Sequence, residues 1–379
     1  MAKSNKETIK TEQFFSAINP YIEINIPSPK EEDVRGKEFV AFGNKNNYPE
    51  YLWSPYQEVP TLSSVINGTV DYVCGEEVIC NVPRFEKTVN RKGENINDVF
   101  EKCAVDKLVF GGFYLNIIRD NAGNIAEIYH LDYRNVRSDK KNERFYYSED
   151  NWSKSYGRIK CLVYPKFVPS FNQTSSVLFC KGSKARETYT LPMYNSAVVS
   201  CEIERKINQY HLNSISNGFS ASFLVNFNNG QPSDEIRNEI EKNLNEKFSG
   251  SENAGRIMVS FNADKEHQCE IVPFEIKDFG EKYNTLAKRS KEQIMTCFGT
   301  SGAIFGVMQE NIGFNNQEFM SQFTLYNKTR VLPIQKEMID TFDKIFGMDN
   351  SISIEPFTIS FDEMEMSNTD NNLTEKTVE

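Results

Sequence analysis

The residue types that do chemistry are sparse in this chain and badly spaced for it. Its three histidines, His130, His211 and His267, stand far apart in unlike surroundings, so no two share metal-ligand spacing. His130, close to Asp132 at the end of an expected strand, reads as structural rather than catalytic. The eight cysteines, at 74, 80, 103, 161, 180, 201, 269 and 297, form no C-x-x-C pair. Most have apolar neighbours, as Cys180 has in Ser-Val-Leu-Phe-Cys, and read as free core thiols of a reducing compartment. No phosphate loop, dinucleotide fingerprint, H-E-x-x-H or G-x-S-x-G occurs. The acidic pair Asp362-Glu363 reads as part of a solvated, flexible segment, with divalent-cation binding as its alternative. No catalytic residue, cofactor or metal site is therefore expected, and the chain reads as something other than an enzyme.

Composition narrows the classes further. With 379 residues, 39% hydrophobic, 12% aromatic and 25% charged, the chain has ample core material and length for two or three cooperating domains. A net charge of −10 argues against a general nucleic-acid binder, which would carry a basic surface. DNA fits only as a client met by a local basic stripe or kept from sticking. The opening Met-Ala-Lys-Ser-Asn-Lys-Glu lacks the apolar stretch of a signal peptide, and no apolar run is long enough to cross a bilayer. A soluble protein made in a cytoplasm, with no membrane partner, is expected.

The elements around these residues follow from periodicity. Residues 1–40 form a polar, irregular arm. Leu62, Val65, Ile66, Thr69, Val70 and Val73 keep helical spacing up to Gly75, and a second helix is expected over 95–110 with Asn97 as its cap. Strands Phe113–Arg119 and Ile125–Leu131 flank the turn residues Asp120-Asn-Ala-Gly-Asn, and short aromatic-rich strands fill 140–190. A helix over 197–216 shows Ile203, Ile207 and Tyr210 on one stripe, with Leu212 and Ile215 on the next, a surface broad enough for more than one neighbour. Strands over 222–227 and 256–261 bracket a helix opening at Ser233, whose Ile236, Ile240, Leu244 and Phe248 are expected to be buried. The apolar stretch 271–274 follows. Long helices over 279–298 and 315–346 close the folded part around a glycine-bearing loop, 300–314. The last nineteen residues hold six acids against one lysine, and from Ser367 the chain reads as disordered. The class is α+β.

Taken in order, several segments resemble the phage portal protein family. Gly43-Asn-Lys-Asn-Asn-Tyr-Pro49, Asp106-Lys-Leu-Val-Phe-Gly-Gly-Phe-Tyr114 and Leu131-Asp-Tyr-Arg-Asn-Val136 match its first half. Asn217-Gly218, Asn253-Ala-Gly-Arg256, Cys297-Phe-Gly-Thr-Ser-Gly-Ala-Ile-Phe-Gly306, Gly313-Phe-Asn-Asn-Gln-Glu318 and Thr329-Arg-Val-Leu-Pro333 match its second. The resemblance spans about 40 to 346 and rests on order rather than on any one motif. It departs from the family at Thr300-Ser301-Gly302, where prolines are common, and in stopping soon after Phe361.

The resemblance implies a portal-type fold with little or no crown: a wing over 41–194, a first stem helix over 195–217 and a clip over 218–278. A second stem helix over 279–299, a tunnel loop over 300–314, a long wing helix over 315–350 and a C-terminal segment over 351–379 complete it. It implies a ring, twelve-fold if the family is followed, at the capsid vertex of a virion assembled in a bacterial cytoplasm. Double-stranded DNA would pass through it, and the terminase large subunit, a head-tail adaptor and the major capsid protein would dock on it. The tunnel loop would present Gly302, Ile304, Phe305, Gly306, Val307, Met308, Gln309, Asn311 and Gly313, its apolar members at least partly exposed and offering DNA no fixed charge. Lys206, Lys282, Lys288, Arg289 and Lys291 on the stem helices would balance acidic repulsion near the channel, although each is equally readable as part of a solvated face. Glu235, Glu239, Lys242, Asn253 and Arg256 would dock the motor and tail from the clip. The residues alone leave open another head-tail structural protein, or a metal-dependent nucleic-acid enzyme using dispersed Asp and Glu.

Overall fold

The computed structural model describes residues 26–34, 36–153, 159–170, 173–182, 188–216, 223–227, 233, 235–236, 239, 257–261, 279–305 and 316–357. A short antiparallel pair, β1 (Glu31–Asp33) and β2 (Val40–Phe42), leads into α1 (Tyr48–Glu58) and α2 (Pro60–Cys74). Prolines at the first positions of both helices cost no hydrogen bond there, and Val59 alone separates them. Leu62, Val65, Ile66, Thr69, Val70 and Val73 of α2 are all buried, as their spacing predicts.

After β3 (Glu77–Cys80) comes α3 (Ile96–Phe110), with the span expected but a different cap. Its cap is Asn95, in a reciprocal capping box with Asp98, whereas Asn97 turns its Oδ1 to accept the Val78 N–H and tie α3 to β3. The helix ends at Gly111, whose φ of 88° is left-handed and whose missing Cβ leaves room for the Leu191 carbonyl. Next, β4 (Phe113–Arg119) and β5 (Ile125–Leu131) form the expected hairpin. Asp120 Oδ1 closes the turn by accepting the N–H groups of Ala122 and Asn124. The strands β6 (Val136–Ser138), β7 (Arg144–Tyr147) and β8 (Leu162–Pro165) make one antiparallel sheet, while β9 (Ser175–Cys180) pairs with β4 to complete another in the order β5-β4-β9.

The second half opens with α4 (Val198–Ser216), and β10 (Phe223–Phe227) pairs in parallel with β11 (Ile257–Phe261). A parallel pair needs a crossover rather than a tight turn between its strands. Of the helix expected there, Glu235, Ile236 and Glu239 are described as helical. Ile236 is 49% exposed rather than buried, while Ile240, Leu244, Phe248 and the stretch 271–274 lie outside the described residues. Then come α5 (Phe279–Phe298), α6 (Asn316–Tyr326) and α7 (Leu332–Phe346).

The single helix expected over 315–346 is two α-helices joined by a π-helical turn, Asn327–Val331. Pro333 explains the break in the hydrogen-bond ladder: it has no N–H to give, and Leu332 instead donates back to the Asn327 carbonyl. Finally β12 (Ile352–Glu355) pairs antiparallel with β3, so the end of the described chain closes onto the first half. The main core among the described residues runs from Phe42 and Leu52 through Phe110 and Ile117 to Met338 and Ile352, with Phe39, Tyr146 and Trp152 in a smaller cluster beside it. The α+β class is as the sequence implies. The acidic tail, with Asp362-Glu363, lies outside the described residues.

Candidate assembly and channel surface

Two helices, α4 and α5, carry most of the residues singled out for a channel. They pack along their length: Ser200 donates to Gln293 Oε1 at 2.6 Å, and the rings of Tyr210 and Tyr283 stack at 4.7 Å. At the other end Tyr194 stacks on Phe298 at 5.9 Å, over a floor of buried Cys201 and Ile294. Burial pushes the Cys201 thiol up to about 12, so it is inert at neutral pH. Glu204 on α4, although buried, is held by the Thr61 hydroxyl at 2.8 Å and fastens α4 to α2. The Tyr210–Tyr283 contact was not read from the sequence; an aromatic on each helix was its only signal.

The basic residues divide by what they touch. Arg205 is engaged locally, donating to Glu202 at 2.8 Å and to Glu58 of α1 at 3.2 Å. Lys206 is half-buried on α4. On α5, Lys288, Arg289 and Lys291 are exposed; Lys288 and Arg289 lie on the arc away from the buried Ser290, Ile294 and Phe298, and Lys291 lies at the edge of that buried stripe. For Lys282 the structure describes the backbone alone. Apolar side chains are uncovered on both helices: Val199 is 52% and Leu212 58% exposed on α4, and Leu286 43% exposed on α5.

The loop after α5 is more embedded than the sequence implies. Residues Gly302–Phe305 form a short 3-10 turn. Ile304 is only 5% exposed, and its carbonyl accepts the Tyr72 hydroxyl at 2.6 Å. Phe305, half-buried, packs edge-on to Tyr326 at 5.6 Å and over Gly68, where an added Cβ would come within 2.5 Å of its ring. Ser301 donates to Gln322 of α6. Exposure of Ile304 is thus corrected: α2 and α6 offer it an apolar seat, and burial there is the cheaper state. Gly306, Val307, Met308, Gln309, Asn311 and Gly313 lie outside the described residues. So do Lys242, Asn253 and Arg256, whereas Glu235 and Glu239 are described and exposed.

His130 does not pair with Asp132. Its Nε2 lies 2.7 Å from Asp106 Oδ2, which also accepts the Tyr133 N–H at 3.2 Å. Asp132 instead receives the Arg134 backbone and guanidinium, and Arg134 lies over Trp53. Trp53, Asp106, His130 and Asp132, with Glu94, Asp98, Glu101 and Lys102, line a largely acidic cleft of about 450 Å³. Among the described residues no group of three His, Cys, Asp or Glu side chains is placed to hold a metal ion. Among them too, no helix is long and apolar enough to cross a membrane.

Comparison with known proteins gives this arrangement its context. The chain is 26% identical over 198 residues to an uncharacterized protein of Rickettsia bellii, covering 52% of this chain and 49% of that one. A Rickettsia felis protein is 26% identical over 178 residues, covering 45% and 44%. The match thus spans about half the length of these curated relatives. The fold is similar to a chain in the virion of a native gene transfer agent particle, with a TM-score of 0.50 and 14% identity over 86% of this chain and 87% of that one. The family model described as "Phage portal protein" matches residues 91–375, far more than half of the 379. On that match, the chain belongs to the phage portal protein family.

Proposed function

We propose that this protein is the subunit of a ring that forms the channel for double-stranded DNA at a capsid vertex. The reading is supported above all by the uncovered apolar residues Val199, Leu212 and Leu286 on the α4–α5 pair, in a chain of this family. One copy leaves them bare, and a closed ring would bury them against the next copy. In that ring α4 and α5 are the stem helices, residues 41–194 the wing and residues 218–278 the clip. Twelve copies are the expected number. The exposed Lys288, Arg289 and Lys291 would offset the repulsion of an otherwise acidic tunnel without gripping phosphates, since each tight contact would slow passage. Glu235 and Glu239 would face the terminase large subunit during packaging and a head-tail adaptor afterwards, with the major capsid protein around the wing. The ring itself is a conduit, and nucleotide hydrolysis belongs to the motor.

Light scattering and electron microscopy of the purified full chain test this. Closed rings with a central hole are the expected result. A monomer at micromolar concentration, across a range of salt, overturns the reading.

A further inference from the structure

On the face away from α2, α7 and β9 border a groove of about 750 Å³. Its walls include Leu178, Phe179, Pro169 and Pro333, and Cys180 lies in its floor. Lys141, Lys166, Lys336 and Lys344 line it, all exposed, and none has an ion-pair partner among the described residues. Of the two acids that also line it, Glu337 is already neutralised by the nearly buried Lys107 at 2.6 Å, which leaves Asp340. In a chain of net charge −10, this is a place of concentrated positive charge with apolar walls. It suits an acidic segment that also carries apolar side chains.

We propose that the groove is the docking site of the chain's own acidic C-terminal tail, through Phe361-Asp-Glu-Met-Glu-Met366. That stretch sets Asp362, Glu363 and Glu365 among Phe361, Met364 and Met366, the complement of lysines above apolar walls. The chain also leaves the described fold close by. Phe357 packs on Tyr72 at 5.4 Å, the Tyr72 carbonyl accepts Gln335 Nε2 at 3.4 Å, and Lys336 is the next residue of α7. Passing half-way round a helix about 10–12 Å across takes about 16–19 Å, or about five to six extended residues from Phe357, so the chain would reach the groove at Asp362 and Glu363. Phe361 to Met366 then spans about 17 Å, against about 16 Å for α7 from Pro333 to Lys344. The proposal stands independently of the ring reading.

The test uses the full chain with a photo-crosslinking phenylalanine analogue in place of Met364, in a mixture of isotopically heavy and light copies. Mass spectrometry should find cross-links to residues 178–182 and 333–344 of the same copy. Their yield should fall about fivefold or more in molar salt and in the K166E/K336E/K344E chain, the worth of roughly three partly screened pairs. Adding D362K, E363K and E365K to that chain should restore it. Those lysines are exposed, and a melting curve verifies folding; Lys344→Glu alone replaces the triple change if it fails to fold. Cross-links to another surface, links only between heavy and light copies, or a yield indifferent to charge reversal would each overturn the proposal.

Discussion

The guanidinium of Arg137, with no exposed surface, donates through Nε to Asn46 Oδ1 at 2.6 Å and through Nη2 to the Asn46 carbonyl at 2.7 Å. Two segments picked out separately in the sequence, around Gly43–Pro49 and Leu131–Val136, meet at this contact. Asn46 Oδ1 also accepts the Phe42 N–H at 3.0 Å, and Glu50, 3.7 Å from Arg137, supplies the nearest countercharge. Burial raises the Glu50 carboxyl, with Arg137 opposing, so this countercharge is itself strained. Asn46 has φ 55°, a conformation Asn tolerates better than most residues.

It follows that Asn46→Ala should destabilise the fold by about 3 kcal/mol, from the unpaired buried donors and the left-handed backbone together. Asn46→Gly keeps the backbone free and should recover about 1 kcal/mol of that. Urea unfolding of both variants measures the difference. Equal losses would show that backbone strain plays no part.

The His130–Asp106 pair makes stability depend on pH. Burial alone would lower the imidazole pKa, but the charge and hydrogen bond of Asp106 raise it above the ordinary 6.5. Burial likewise raises the Asp106 carboxyl, with His130 opposing. For a raised imidazole the sign is fixed: the folded state binds more protons, so its stabilisation is full below about pH 6.5 and fades as pH rises through the folded value. The advantage of the native chain over His130→Gln should be about 2 kcal/mol at pH 5.5 and shrink towards pH 8.5. A gap that is constant or widens with pH would contradict this.

The packing of Phe305 over Gly68 changes what a loop substitution should do. Phe305→Ala should lower stability by about 2 kcal/mol, less than a fully buried Phe because the ring is half-exposed. Gly68→Ala should cost about 1–3 kcal/mol by forcing that ring aside. The pair of changes made together should cost less than their sum, since alanine at 305 leaves space for the new methyl. Thermal melts of the three variants suffice. Additive losses would separate the two residues.

How far the sequence foretold the fold can be judged element by element. Local rules placed β4, β5, α4 and α5 well, because alternation, turn residues and helical periodicity are written over contiguous residues. They failed where the deciding partner is distant in the chain. Asn95 rather than Asn97 caps α3 because β3 claims the Asn97 side chain, and nothing local to His130 marks Asp106 on α3 as its partner. Pro333 was visible, but its result, a π-helical turn that preserves the path of the chain, depends on how α7 packs on α2 through Gln335 and Val73. The candidate surface was legible as broad apolar helices. Which of their residues stay uncovered was not, since Ile207 and Leu286 look alike until α4 and α5 are packed.

Leu286 gives the sharpest separation between folding and assembly. At 43% exposed, beside Lys288 and Arg289 on α5, it adds little to the core of a single copy. Leu286→Glu should therefore change monomer stability by no more than about 0.5 kcal/mol. In a ring, the same side chain would lie against the next copy, and a carboxylate there would be buried without a partner at every interface. Because a closed ring repeats each contact around its axis, a penalty of even about 2 kcal/mol per interface multiplies over the whole assembly. The expected outcome is a chain with native circular dichroism and melting temperature that elutes as a monomer. Ile207→Glu, at a position buried between α4 and its neighbours, is the control and should unfold the chain instead. If Leu286→Glu assembles as readily as the native chain, this face of α5 is a solvated surface, and the subunit contact must be sought along another element.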